Sequence, residues 1–193
     1  MKLIFYYIVF FICSLSYTQN TFFSIFDLDK SIINKIKQEQ IILVETDINF
    51  GKGKHYQVYA MVNNSPENVF KAIENFDNYQ YFMPRFKSAE AVELTDTLIS
   101  YIFNIELPMN INYHYKIKVH ISIEESIYWL AWETIDWEKN SIKETWGQWY
   151  LQPYGNDNKQ TLIHYQVYTD PGYIPLGFNW IVNILTKGSL PDT

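Results

Sequence analysis

The stretch INYHYKIKVHI, Ile111 to Ile121, alternates without a break. Ile111, Tyr113, Tyr115, Ile117, Val119 and Ile121 fall on one side of an extended chain. Asn112, His114, Lys116, Lys118 and His120 fall on the other. Successive strand side chains point to opposite faces, so the pattern dictates a β-strand with one buried and one wet face. One-sided strands of this kind belong to antiparallel sheets, because parallel sheets are covered on both sides.

Similar runs flank it. Glu90 to Leu94, Leu98 to Leu107, Ile127 to Ile135, Lys143 to Gln152 and Gln160 to Thr169 read as strands. Turn chemistry separates them: Thr95-Asp96, Pro108, Glu124-Glu125, Glu138-Lys139-Asn140 and Gly155-Asn156-Asp157-Asn158. Two earlier runs, Ile41 to Val44 and His55 to Val62, are joined through Gly51-Lys52-Gly53. Consecutive hairpins predict a curved antiparallel meander.

Helices interrupt the meander at defined points. Ser65 is placed to cap a helix, Pro66 suits its first position, and Glu67 favours the positive end of its dipole. Val69, Phe70 and Ile73 form the buried stripe, and Asn75 to Asp77 ends or bends the helix. The chain then enters FDNYQYFMPRF, which is too apolar for a surface loop. Ser24 to Gln38 spaces Ile25, Leu28, Ile32 and Ile36 at helical intervals. Pro175 to Lys187 reads as a late helix with Leu176, Trp180, Ile184 and Leu185 on one face; Phe178, Ile181 and Val182 widen that face, so most of the helix is expected to be buried.

The amino terminus reads as a signal peptide over residues 1–19. Lys2 precedes the apolar run Leu3 to Ile12, and Ser14-Leu15-Ser16 offers a small-x-small cleavage site. The run is short for a bilayer span, so no stable transmembrane segment is expected after cleavage, and the protein is expected to be exported to the periplasm or secreted. Cleavage removes Cys13, the chain's single cysteine, leaving no disulfide, thiol nucleophile or thiolate metal ligand. Residues 20–38 form an amphipathic helical extension and residues 39–193 the main domain.

Charge and composition narrow the partners. A net charge of −6 argues against nucleic acid and against an electrostatic hold on anionic membrane. Aromatic residues make up 18% of the chain, which suits a fold enclosing something apolar as well as an aromatic-rich core.

Four stretches, in order, carry a resemblance: SPENVFKAIENFDNYQYFMPRFKSAEAVE (Ser65 to Glu93), WGQWYLQPY (Trp146 to Tyr154), TLIHYQVYTDPGYIP (Thr161 to Pro175) and NWIVNILTKGSLPDT (Asn179 to Thr193). Together they resemble the START-like superfamily, also called SRPBCC, which includes lipid-transfer START domains, polyketide cyclases, coenzyme Q-binding proteins and pollen-allergen proteins. The resemblance implies an α+β helix-grip fold: a curved antiparallel sheet wrapped around a long C-terminal helix, with two short helices after the first strand. It also implies a cavity for a lipid or another hydrophobic small molecule, without choosing between binders and enzymes. The ending SLPDT is expected to continue into further helix.

Within that frame the cavity candidates are Tyr79, Phe82, Met83 and Arg85 from the crossing segment. The strands add Tyr101, Phe103, Tyr113, Tyr115, Trp129 and Tyr165, and the late helix adds Trp180 and Ile184. Arg85 is the only arginine; its planar fork suits a carboxylate or phosphate at a pocket mouth, or equally a nearby acidic side chain. Several tyrosine hydroxyls in one cavity would need partners, which favours an amphiphile bearing oxygen over a bare hydrocarbon.

Catalytic and metal signals are sparse. No nucleophile elbow, HExxH, phosphate loop or EF-hand occurs, and no cofactor is expected. His114 and His120 share a strand face with Lys116 and Lys118 but lie too far apart to chelate one ion. His164 is expected to face away from Ile163 and Tyr165. Glu106, Glu133 and Asp136 would be acids or bases for a cyclase- or aromatase-like enzyme only if one entered the cavity, and are otherwise solvent-facing. A secreted interaction module with a filled core is the third reading.

Overall fold

The computed structural model describes residues 30–38, 41–46, 53–95, 98–155 and 157–172. The signal segment, Ile25, Leu28, Asn156, and the late helix with Trp180, Ile184 and the SLPDT ending lie outside the described residues.

Eight strands form one antiparallel sheet. They are β1 (Ile42–Thr46), β2 (Lys54–Val62), β3 (Phe86–Leu94), β4 (Ile99–Leu107), β5 (Ile111–Glu124), β6 (Ile127–Thr134), β7 (Glu144–Tyr154) and β8 (Gln160–Asp170). Their spatial order is β1-β2-β8-β7-β6-β5-β4-β3. The meander from β3 to β8 follows chain order, as hairpin turns require. β8 then pairs with β2, so the chain between β2 and β3 must cross from one side of the sheet to its far edge.

That crossing is made by two helices. In α2 (Pro66–Glu74) the Ser65 hydroxyl accepts from the Asn68 amide at 3.4 Å, and Pro66 opens the helix. Asn75 leaves helical geometry (ψ 78°), and a 3₁₀ turn at Phe76–Asn78 leads into the short α3 (Tyr79–Phe82). The Tyr79 hydroxyl donates to the Ile73 carbonyl at 2.6 Å, joining α3 to the end of α2.

The alternation of β5 sets the register of the sheet. Tyr113, Tyr115, Ile117 and Val119 are buried on the inner face with Phe103, Leu107, Leu130, Leu151, Phe70, Ile73, Phe76 and Tyr79. Val119 pairs with Trp132, Trp132 with Gly147, and Gly147 with Val167, so all four share that face. The outer face carries a separate cluster in which Ile36 of α1 (Lys30–Lys37) packs on Tyr59 and Leu162.

Most strand ends shift by one to three residues from expectation, and β3 and β6 show why. β3 begins at Phe86 rather than Glu90, because register shifts between Phe86 and Ser88 and between Ala91 and Glu93 break the alternation that marks a strand. β6 ends at Thr134, short of half of β5. The segment after it satisfies the exposed edge instead: the Ser141 amide donates to the His114 carbonyl at 2.8 Å, and the Lys116 amide donates to Asn140 Oδ1 at 2.9 Å.

Candidate ligand cavity

Phe103 and Ile105 of β4, and Tyr165 and Val167 of β8, line the same cavity. Four strand steps separate β4 from β8, about 19 Å along a flat sheet. The sheet therefore curls, and its inner face is concave. Tyr115 of β5, Trp132 of β6, and Thr145 and Trp149 of β7 complete the strand wall. Tyr79 and the stretch from Met83 to Phe86 close one end. The cavity measures about 60 Å³.

The closing stretch is a tight turn. The Met83 amide donates to the Tyr79 carbonyl at 2.7 Å, and the Phe86 amide to the Met83 carbonyl at 3.3 Å. Pro84 and Arg85 occupy its centre. Arg85 has φ +65°, in the left-handed region, where glycine is the usual choice after proline. An L-residue there carries about 1–2 kcal/mol of strain. The Arg85 carbonyl is held by the Glu106 amide at 2.9 Å, which fixes the turn against β4. The Arg85 side chain is exposed at the cavity, and among the described residues no ion pair engages it. Glu106, on the adjoining strand, pairs with Lys87 at 2.8 Å instead.

The wall is apolar but contains hydroxyls. Burial pushes the Tyr79 and Tyr115 phenols well above their ordinary value, with the neighbouring Tyr165 adding to both shifts. These phenols therefore stay protonated at neutral pH. Thr145 Oγ1 donates to the Tyr168 carbonyl at 2.8 Å and lies 3.1 Å from Thr169 Oγ1. Beyond them, the Lys143 ammonium binds the buried Asp170 carboxylate at 3.0 Å, and that hydrogen bond raises the Lys143 pKa.

Six of the expected cavity residues line it: Tyr79, Met83, Arg85, Phe103, Tyr115 and Tyr165. Tyr101 and Tyr113 lie on the inner face but in its core; Tyr101 packs edge-on against Phe76 at 4.7 Å. Phe82 covers the edge of Tyr79 and stays 54% exposed, outside the lining. Trp129 is a correction. It sits on the convex face, where its Nε1 donates to Gln148 Oε1 at 2.8 Å. β6 is apolar on both sides, and the pairing of Val119 with Trp132 puts Trp132 inward and Trp129 outward. The residues not anticipated (Pro84, Phe86, Ile105, Trp132, Thr145, Trp149, Val167 and Thr169) share the strand parity of Tyr115, apart from Pro84 in the turn.

The histidines lie elsewhere. His164 faces away from Ile163 and Tyr165 as expected. It stacks on Tyr59 with centroids 4.6 Å apart, and its Nε2 lies 3.0 Å from Gln57 Oε1. Burial, then the nearby His55, lowers its pKa to about 4. His120 lies 3.5 Å from Glu133 on the outer surface. Among the described residues no group of three or more His, Cys, Asp or Glu is placed to hold a metal, and no helix is long and apolar enough to cross a membrane.

No protein-family profile matches the chain, and no curated protein matches it. Solved structures do. The STAR-related lipid transfer protein of Xanthomonas axonopodis superposes with a TM-score of 0.62 at 17% identity, over 78% of this chain and 89% of that one. Human StAR-related lipid transfer protein 5 gives 0.63 at 14% identity, over 77% and 76%. A START superfamily protein of Mycobacterium smegmatis gives 0.53 at 11% identity, over 68% and 86%. The curved eight-stranded antiparallel sheet and the α2–α3 crossing thus share the START-like fold of these structures.

Proposed function

We propose that this chain binds a lipid or another hydrophobic amphiphile against the concave face of its sheet. One observation carries the reading: a single cavity joins an aromatic and aliphatic wall to an arginine that has no ion-pair partner among the described residues. An apolar tail would gain about 25 cal/mol per Å² on leaving water for Phe86, Phe103, Ile105, Trp132, Trp149 and Val167. A carboxylate or phosphate head would meet the Arg85 fork, which binds such groups in a bidentate way. The strained backbone at Arg85 supports this role, because glycine would fit the turn with less strain and only a side chain can reach a ligand.

The cavity of about 60 Å³ is smaller than the ~300–1,000 Å³ of ordinary ligand pockets. A lipid-sized ligand therefore requires the site to widen on loading. The similarity to proteins called lipid transfer proteins supports the same ligand class. The amino-terminal segment supports an exported, periplasmic or secreted binder. For the cyclase-like alternative, the described lining offers tyrosines rather than carboxylates or imidazoles. Their raised pKa values make them poor proton exchangers near neutral pH.

Native mass spectrometry of the purified full chain tests the reading. The expected spectrum contains a complex whose extra mass matches a lipid released on denaturation. A spectrum of bare protein, before and after incubation with mixed bacterial lipids, would remove the proposal.

A further inference from the structure

Tyr115 is 9% exposed, and its side chain lines the cavity. Among the described residues no hydrogen bond engages its hydroxyl. Its ring is fixed edge-on against Phe103, with centroids 5.8 Å apart, and Phe103 is its direct partner across β4 and β5. Buried tyrosine hydroxyls ordinarily find a partner, and an unsatisfied one is penalised. Phe103 packs against the ring, and Tyr115 presents to the cavity a side chain whose hydroxyl has no hydrogen-bond partner among the described residues.

The surroundings define what could meet it. The Tyr79 hydroxyl already donates a hydrogen bond to the Ile73 carbonyl, so its donor is occupied. Thr145 has likewise donated to the Tyr168 carbonyl. The Tyr115 phenol stays protonated, since burial and the neighbouring Tyr165 both oppose its ionisation. Tyr115 thus offers an O–H donor in a wall where the Tyr79 and Thr145 hydroxyls have already donated.

We infer that Tyr115 is a specificity residue: it donates to an acceptor oxygen carried within the apolar body of the ligand, so that the cavity selects an anionic amphiphile with an internal carbonyl, hydroxyl or ether over the plain hydrocarbon chain. The inference rests on the binding reading above and adds a second polar contact to the one at Arg85. A ligand lacking that oxygen leaves the buried hydroxyl unsatisfied, which disfavours it. A ligand bearing the oxygen satisfies it without losing apolar contact.

The experiment uses octadecanoic acid and a series of its keto derivatives, with the ketone at successive mid-chain carbons. Affinities are measured by calorimetry on the full chain and on Tyr115→Phe. At least one keto acid is expected to bind the wild type ~10-fold more tightly than octadecanoic acid, the value of one buried hydrogen bond. In Tyr115→Phe that advantage falls to within ~2-fold, while octadecanoic acid binds as well as before or better. The ligand-free variant should melt at or above the wild-type temperature, because it loses an unpaired hydroxyl rather than a hydrogen bond. Equal binding of all the acids by the wild type, or a keto preference that survives in Tyr115→Phe, overturns this inference and leaves the binding reading intact. A ligand-free variant melting well below wild type overturns it too, by showing that the hydroxyl already serves the fold. No binding of any acid by the wild type overturns the binding reading and this inference together.

Discussion

The Tyr79 hydroxyl donates to the Ile73 carbonyl across 2.6 Å, so the residue that begins α3 satisfies a carbonyl in the last turn of α2. Tyr79 is 5% exposed and also lines the cavity. One side chain therefore fixes the bend of the crossing and forms part of the ligand wall. Tyr79→Phe leaves the ring contacts with Phe76 and Phe86 but orphans the Ile73 carbonyl. A loss of about 1–2 kcal/mol is expected. Thermal melting should show it as a fall of ~3–6 °C for a domain of this size.

Arg85 sets stability against binding. Arg85→Gly should relieve the left-handed backbone and raise stability by about 1 kcal/mol. The same change should weaken an anionic amphiphile by at least ~10-fold, since a charge-assisted contact is lost. Denaturant unfolding and a ligand titration measure the two effects on one protein. A variant that is more stable and binds undiminished would remove Arg85 from the site.

Gly147 faces inward opposite Trp132 and Val167. A Cβ there would meet the Gln166 carbonyl and the Trp132 ring at impossible distances. The glycine leaves room for that ring, which forms cavity wall. Gly147→Ala should force the indole off the sheet and cost about 2–4 kcal/mol, because the backbone neighbour cannot yield. Chemical denaturation checks the magnitude.

His164 gives the fold an acid sensitivity on its convex face. Its pKa of about 4 lies below the ordinary 6.5, so the unfolded chain binds the proton that the folded one refuses. The stabilisation is full above pH 6.5 and declines as pH falls toward 4. Between pH 7.5 and 5 the loss from this group is about 2 kcal/mol. His164→Gln should flatten that part of the stability profile, measured by urea unfolding at each pH. Retention of the full wild-type slope would place the titration elsewhere.

The two tryptophans of β6 separate the faces. Trp129→Phe removes the hydrogen bond to Gln148 on the convex side and should leave ligand affinity within about 2-fold of wild type. Trp132→Ala strips cavity wall and should weaken the same ligand by ~10-fold or more. Calorimetric titration of both variants distinguishes them.

These two residues also show where sequence ceases to specify side. β5 was readable because its polar and apolar residues do not mix, and its register fixes every later strand. β6, IYWLAWET, is apolar on both faces, so no periodicity separates Trp129 from Trp132; only the pairing with Val119 does. Nothing in the sequence marks Thr145 and Thr169 as cavity residues, because a hydroxyl carries no sign of burial until its partner is known, here the Tyr168 carbonyl and each other. The crossing was legible in part. Ser65-Pro66 marked its start, and the aromatic run marked its burial. The left-handed turn that presents Arg85, and the outward seat of Phe82, depend on how the chain docks against β4.

The location of the ligand is tested most directly by photo-crosslinking. A fatty acid carrying a tail diazirine is bound to the full chain, irradiated, and the adducts are mapped by peptide mass spectrometry. The account predicts adducts on inner-face residues such as Phe103, Ile105, Trp149 and Tyr165, suppressed by excess unlabelled acid. Adducts confined to the convex face around Tyr59, Leu162 and Ile36 would contradict it.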